Sequence, residues 1–152
     1  MKSLSPSEPR GRLFARARQL SLRDWADVAV AVKELAIARA KLRQVNLKEL
    51  MDDPVKEQPE SALRLAKRVR LAIGRTHHRV PWRADCLVQA IAGRRWLDRR
   101  HVLTRLTIGV EDGRQGELAA HAWLTCGGEV VTGGDVSRHV PLKRNPGVQS
   151  AR

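Results

Sequence analysis

The chain has 152 residues, 42% of them hydrophobic, which is enough for one domain with a substantial core and too few for two ordinary domains. Its 29 basic and 16 acidic residues give a formal net charge of +13, which favours anionic partners such as nucleic acid, an acidic membrane or an acidic peptide. Nucleic acid is disfavoured among these, because the basic residues are not interleaved with Tyr or Phe as a base-stacking surface requires.

Residues 1–20 are basic, and their Ser-, Pro- and Gly-containing start shows no helical periodicity, so they are expected to be disordered. Ser21 and Asp24 then match a capping box, in which each side chain accepts a hydrogen bond from a backbone amide at the helix start. Apolar residues recur at helical spacing from Trp25 onward. This pattern predicts an amphipathic helix that reaches about Arg43.

A short second helix is predicted from Leu47 to about Asp52, because Asn46 repeats the cap signal and Pro54 stops the helix. Together with the first helix it forms a helical lead-in over residues 21–58.

Two longer helices are predicted in the middle of the chain. Pro59 opens the first of them, and Gly74 is its expected C-terminal stop. Asp85 is the candidate N-cap of the next helix, which runs to about Leu97.

The hydrophobic period then changes from helical to two, which is typical of strands. Strands are predicted over residues 105–110, Leu118–Thr125 and Glu129–Thr132, with a tight Gly-Gly turn between the last two. Helices followed by an antiparallel meander indicate an α+β fold, with a helical N-terminal half packed on a small antiparallel sheet. Residues 143–152 are expected to form a tail.

Two cysteines, Cys86 and Cys126, are too few for a disulfide framework and favour a reducing compartment. The sequence lacks a signal-peptide core and any run near the ~18 apolar residues of a spanning helix. It also shows no metal-ligand spacing and no glycine-rich phosphate loop. We therefore expect a soluble, cytoplasmic protein that needs no metal, cofactor or ATP.

Cys86 falls in the first turn of the helix that follows Asp85, with Arg79 and Arg83 just upstream. The positive end of a helix and nearby cations favour the thiolate, which is the nucleophilic form of cysteine. Its own backbone N–H is the candidate oxyanion donor, and no Asn or Gln stands out as a second one. The alternative is that Cys86 is a small buried hydrophobic residue.

His121 lies in the middle of the second strand, on the same face as Ala119 and Trp123. A histidine on a strand packed against a helix can reach a cysteine at that helix's start, accept its proton and later protonate the leaving amine. The alternative is a core histidine that is hydrogen-bonded to backbone. Cysteine, histidine and then an acid is the order of a papain-like or transglutaminase-like thiol site.

Three segments, residues 80–87, 106–110 and 120–124, resemble the transglutaminase-like leader peptidases of lasso-peptide biosynthesis. The most specific part is the spaced set of Cys-Leu, Ile-Gly-Val and Ala-His-Ala-Trp, and the likeness covers roughly residues 62–142. It implies a papain/transglutaminase-like cysteine peptidase core over residues 59–142.

The resemblance also implies a function. Such a peptidase removes the leader from a ribosomally made precursor peptide through an acyl-thioenzyme at Cys86, and a separate ATP-dependent macrolactam cyclase then closes the ring. Leader recognition is expected from a separate protein, because the elements predicted within residues 1–60 are helices, without the strands that a fused leader-recognition module would need. The alternatives are a transglutaminase-like acyltransferase or amidase, and a non-catalytic basic binding protein.

The third catalytic residue departs from the family pattern. Family members often carry an acid about twelve residues after the histidine, which here is Gly133, whereas the nearest acid is Asp135. Because glycine permits unusual backbone angles, the chain could return Asp135 to that place. Otherwise the site is a Cys86–His121 dyad, a backbone carbonyl replaces the acid, or Asp135 caps the turn that follows.

The basic face of the helix over residues 60–75 is the expected contact for acidic residues of the leader or of a partner. Arg64 and Arg68 represent this face, and the alternative is a solvated surface.

Overall fold

Three helices and an antiparallel sheet make up the described part of the chain, residues 21–46, 57–112 and 118–142 of a computed structural model. The helices are α1 (Leu22–Lys41), which a 3₁₀ turn (Leu42–Gln44) follows, α2 (Glu60–Thr76) and α3 (Cys86–Asp98). The strands are β1 (Arg105–Asp112), β2 (Leu118–Cys126), β3 (Glu129–Thr132) and β4 (Val140–Pro141). The predicted helix from Leu47 to Asp52, the basic segment 1–20 and the tail 143–152 lie outside the described residues.

α1 begins at the predicted capping box. The Ser21 hydroxyl accepts a hydrogen bond from the Asp24 backbone amide at 3.2 Å, and Asp24 Oδ2 accepts one from the Ser21 amide at 3.0 Å. These two bonds satisfy amides that the helix itself leaves unpaired, so the prediction of the α1 start is confirmed.

The predicted end of α2 at Gly74 is wrong. The φ of Gly74 is not positive, and the helix continues through it to Thr76. A glycine stops a helix when it takes the left-handed conformation, and here it keeps the right-handed one. The last turn is instead held by Thr76, whose hydroxyl donates to the Ala72 carbonyl at 2.6 Å.

The sheet has the strand order β3-β2-β1-β4, and β1 pairs antiparallel with β2 along its whole length. β1 extends to Asp112, two residues beyond its predicted end. β4 was not predicted: it is two residues long and pairs with Gly109 and Val110 of β1. So short a strand has no period of its own, and its proline is tolerated because it lies at an edge.

All three helices share one core with the sheet. Leu35 of α1, Ile73 of α2, Leu97 of α3 and Leu124 of β2 are each no more than 1% exposed. Gly93 lets α3 approach the sheet, because a Cβ there would lie 3.0 Å from Leu124 Cδ2. The predicted α+β class, helices first and a small antiparallel sheet afterwards, is confirmed.

A buried charge joins α1 to the far end of α3. Glu34 of α1 is fully buried, its Oε2 lies 3.4 Å from Arg95 Nε, and its Oε1 accepts a hydrogen bond from Arg99. An unpaired carboxylate in such a place would be strongly destabilising, so the two arginines and Glu34 hold each other in position. None of the helices in the described ranges is long and apolar enough to cross a membrane.

Candidate active site

A cleft of about 530 Å³ opens between α2, the first turns of α3 and the end of β3. Both Cys86 and His121 line it. The structure therefore brings together the two residues that the sequence singled out as nucleophile and base, although 35 positions (121 − 86) separate them along the chain.

Cys86 is the first residue of α3 and is half-buried. The predicted N-cap is confirmed, because the Asp85 carboxylate accepts a hydrogen bond from the Val88 amide at 3.2 Å. This cap fixes where the helix starts, and it places the Cys86 thiol at the positively polarised end of the helix.

His121 lies opposite Gly109 in the β1–β2 ladder, and its Nε2 is 2.7 Å from the carbonyl oxygen of Gly133. A carbonyl oxygen can only accept, so Nε2 must carry the hydrogen. In the neutral ring, Nδ1 then has the free lone pair that a general base needs. In the described structure no hydrogen bond joins the Cys86 thiol to His121, although both side chains line the same cleft.

Gly133 can take this place only because it is a glycine. Its φ is 109°, and an added Cβ would lie 2.4 Å from Trp123 Cβ. Any side chain would collide with Trp123 and would also strain the backbone. Glycine thus allows the chain to fold over Trp123 and present the carbonyl oxygen to His121.

In the described structure no hydrogen bond joins Asp135 to His121. Its Oδ1 accepts a hydrogen bond from the Ser137 amide at 3.0 Å, as in a side-chain-capped turn. The hydrogen bonds from Ser137, with smaller contributions from Arg138 and His139, lower the pKa of the Asp135 carboxyl below its usual 3.8. Of the arrangements that the sequence left open, the geometry matches the one in which a backbone carbonyl stands where an acid was expected.

Two residues near the site, His139 and Gln89, were not predicted from the sequence to have a role there. The His139 ring lies 4.6 Å from the His121 ring between centroids, and 6.1 Å from that of Trp123. Sequence reasoning could not place His139, because it reaches the site through the unpredicted strand β4.

The other is Gln89, which lines the cleft one helical turn after Cys86. Its side-chain Nε2 donates to the Ala84 carbonyl at 2.8 Å, and this bond braces the loop that leads into α3. The sequence could have indicated Gln89, because it follows Cys86 by three residues in the predicted helix and residues three apart share a face.

The second cysteine, Cys126, lies in an environment that disfavours reaction. Cys126 is 1% exposed, and burial, followed by the charge of Glu129, raises the pKa of its thiol above the usual 9.0. A buried, protonated thiol is a poor nucleophile, in keeping with the expectation that Cys126 is incidental.

The arginines expected to bind an acidic leader are already paired. Arg68 makes two bonds to Asp27, at 2.7 and 3.0 Å, and Arg64 lies 2.7 Å from Glu60. Neither arginine lines the cleft. Within the described ranges, no group of three or more His, Cys, Asp or Glu residues could hold a metal ion.

The family model of the transglutaminase-like superfamily matches residues 15–144, a span that contains every helix and strand described above. No curated protein and no solved structure matches the chain.

Proposed function

Because the chain belongs to the transglutaminase-like superfamily, whose members are typically cysteine proteases or transferases, we propose that it is a cytoplasmic cysteine peptidase. Its substrate in this proposal is a ribosomally made precursor peptide, from which it removes the leader during lasso-peptide maturation. The observation that carries the proposal is the shared cleft, in which Cys86 at a helix start faces the same space as a histidine of fixed tautomer.

The chemistry begins with proton transfer from the Cys86 thiol to Nδ1 of His121. The thiolate then attacks the carbonyl carbon of the scissile peptide bond, and in this proposal the backbone N–H of Cys86 donates to the oxyanion that forms. The C–N bond breaks, and the leaving amine takes the proton from Nδ1.

Hydrolysis completes the cycle. A water molecule gives one proton to Nδ1, its oxygen attacks the thioester carbon, and the leaving sulfur recovers the proton. The Gly133 carbonyl accepts from Nε2–H throughout, so the ring keeps its orientation in both protonation states. The products are the leader, with a free carboxylate, and the core peptide, with a new amino terminus.

Two partners belong to the proposal. One is a separate leader-recognition protein, and the other is an ATP-dependent macrolactam cyclase that joins the new amino terminus to a side chain. The sequence offers no phosphate-binding loop, which supports assigning the ATP-dependent step to another protein.

The test is to incubate the protein with precursor peptides encoded near its gene, with and without the recognition protein, and to weigh the products. The expected masses of leader and core sum to the precursor plus one water. Cys86→Ala should abolish the products, and Cys126→Ala, which removes the buried thiol, is the matched control that should retain them.

Two results would overturn the peptidase assignment. A product in which an added amine is joined to the new carboxyl end of the leader in place of the core peptide, or replaces ammonia on a glutamine side chain, would make the protein an acyltransferase. Full processing by Cys86→Ala, or equal loss in both cysteine variants, would remove Cys86 from the chemistry.

A further inference from the structure

The α2 side of the cleft is cationic. Several residues on this side line the cleft, and their spacings of three and four residues place them on one face of the helix. They include Arg70, Leu71, Gly74, Arg75 and His77. No Asp or Glu is found among the described residues that line the cleft. A substrate that enters the space in front of Cys86 therefore meets positive charge without a compensating carboxylate on the wall.

The two arginines differ in how far their charge is already neutralised. Arg75 Nη1 lies 3.2 Å from Asp24 Oδ1. Hydrogen bonds from the Ser21 side chain and backbone, and then from Arg75, lower the pKa of Asp24, so this carboxylate stays charged and offsets Arg75. Arg70 is exposed, and within the described ranges no carboxylate lies at ion-pair distance from it.

Arg70 instead bonds to the neighbouring strand β3. Its Nη1 donates to the Val130 carbonyl at 3.4 Å, a long and therefore weak hydrogen bond. Val130 belongs to β3, the outer strand of the sheet. A carboxylate offered by a ligand would form a stronger, charge-assisted pair with the same guanidinium.

Gly74 follows Arg70 by one helical turn and leaves room for a ligand. A Cβ at Gly74 would have no heavy atom within 4 Å, and its φ is not positive, so neither packing nor backbone conformation requires glycine. Glycine inside a helix is otherwise unfavourable relative to alanine. Leu71, 53% exposed, adds an apolar surface beside this gap.

We infer that the α2 wall is a substrate subsite for an acidic peptide, in which a carboxylate close to the scissile bond pairs with Arg70 while the peptide backbone lies over Gly74. An apolar neighbour of the acidic residue packs on Leu71. This inference rests on the proposed function, since it places the recognised acid beside the bond that Cys86 attacks.

The binding test uses the Cys86→Ala protein, which cannot turn over its ligand, and a fluorescently labelled synthetic decapeptide of alternating Glu and Leu. Its Gln counterpart serves as the uncharged probe. Arg70→Gln should weaken binding of the Glu peptide about ten-fold or more, the loss for a charge-assisted pair, and should remove most of the salt dependence. The Gln peptide should bind weakly and equally to both proteins.

Arg64→Gln is the matched control, because it removes the same charge from the same helix at a residue that pairs with Glu60 outside the cleft. Its affinity should stay within about two-fold. Gly74→Val is a second, uncharged probe of the subsite and should weaken both peptides by filling the gap. Equal losses in Arg70→Gln and Arg64→Gln, or no preference for the Glu peptide, would overturn the inference.

The result of this binding test does not depend on the result of the cleavage test of the proposed function. Arg70-dependent binding of the Glu peptide without any peptide cleavage by the wild-type protein would support the subsite and contradict the peptidase. Cleavage of a precursor with no dependence on Arg70 or on acidic residues near the cut would support the peptidase and contradict the subsite.

Discussion

The Gly133 carbonyl oxygen lies 2.7 Å from Nε2 of His121 and thereby fixes both the tautomer and the orientation of the imidazole. A carbonyl dipole orients the ring as an acid would, but it carries no formal charge with which to stabilise the imidazolium. The position of one backbone atom therefore decides whether Nδ1 is available to the Cys86 thiol.

Gly133→Ala tests this relationship. We expect a loss of about 1–3 kcal/mol in stability from the left-handed backbone and the clash with Trp123, together with a ten-fold or larger fall in single-turnover rate. Gly128→Ala is the control, because Gly128 also has a positive φ, 87°, but a Cβ there meets nothing within 4 Å. If Gly128→Ala lost as much rate as Gly133→Ala, general strain rather than the carbonyl would be responsible.

The two thiols should react differently. In the native protein we expect iodoacetamide to modify Cys86 and to spare Cys126, which is buried and has a raised pKa. Peptide mapping by mass spectrometry reports the sites, and unfolding in urea should expose both. His121→Ala should slow modification of Cys86 and should add little to the rate loss of Cys86→Ala, since the two act as a unit. Faster labelling of Cys126 than of Cys86 would contradict this assignment.

Asp135→Asn separates a capping role from a catalytic one. The folded pKa of Asp135 is lowered, so its contribution to stability is present above the unfolded pKa and is lost as pH falls through the folded value. We expect Asp135→Asn to lower Tm at pH 7, and the Tm difference to shrink as pH falls below about 3.8. The single-turnover rate should change by less than about two-fold. A ten-fold slower reaction with an unchanged Tm would instead make Asp135 the third catalytic residue.

His139 should act through its ring. Its centroid is 4.6 Å from that of His121, so it limits the orientations that His121 can take. His139→Ala should lower the single-turnover rate several-fold, on the order of 1 kcal/mol at the barrier, while His139→Phe, which keeps a flat ring, should stay near the wild-type rate. Equal rates in the two variants would show that the ring contact has no part in the reaction.

Gly74→Ala should separate stability from activity. Because α2 gains a better helix former and no atom lies within 4 Å of the new Cβ, stability should rise by about 0.5–1 kcal/mol. The KM for the precursor should rise as the gap in front of Leu71 narrows. Urea denaturation and initial rates on one preparation give both values, and a stabilised variant with unchanged KM would show that substrate does not approach Gly74.

Features set by neighbouring residues could be predicted from the sequence. The caps at Ser21 and Asp85 depend on side chains that bond within three residues, and β2 carried a clear alternation around His121. These local signals were sufficient to place Cys86 at a helix start and His121 on an adjacent strand.

Features set by contacts between distant segments could not be predicted. β4 exists only because it pairs with β1, and His139 reaches His121 through it. Whether Gly133 or Asp135 would approach the imidazole depended on how the chain folds over Trp123, which the Gly-Gly sequence alone leaves undetermined. The same holds for Arg64 and Arg70, whose availability depends on which carboxylates lie nearby.

The Glu34 contacts bear on how the chain can be divided. The helix that carries Cys86 at one end is anchored at its other end to α1, through Arg95 and Arg99. A shortened protein that began at residue 59 would leave Arg95 and Arg99 without their counter-charge and would uncover the surface on which Leu35 packs. We therefore expect the cleft-forming segments not to fold stably without α1, so that a fusion, permutation or minimal version of this protein should retain it.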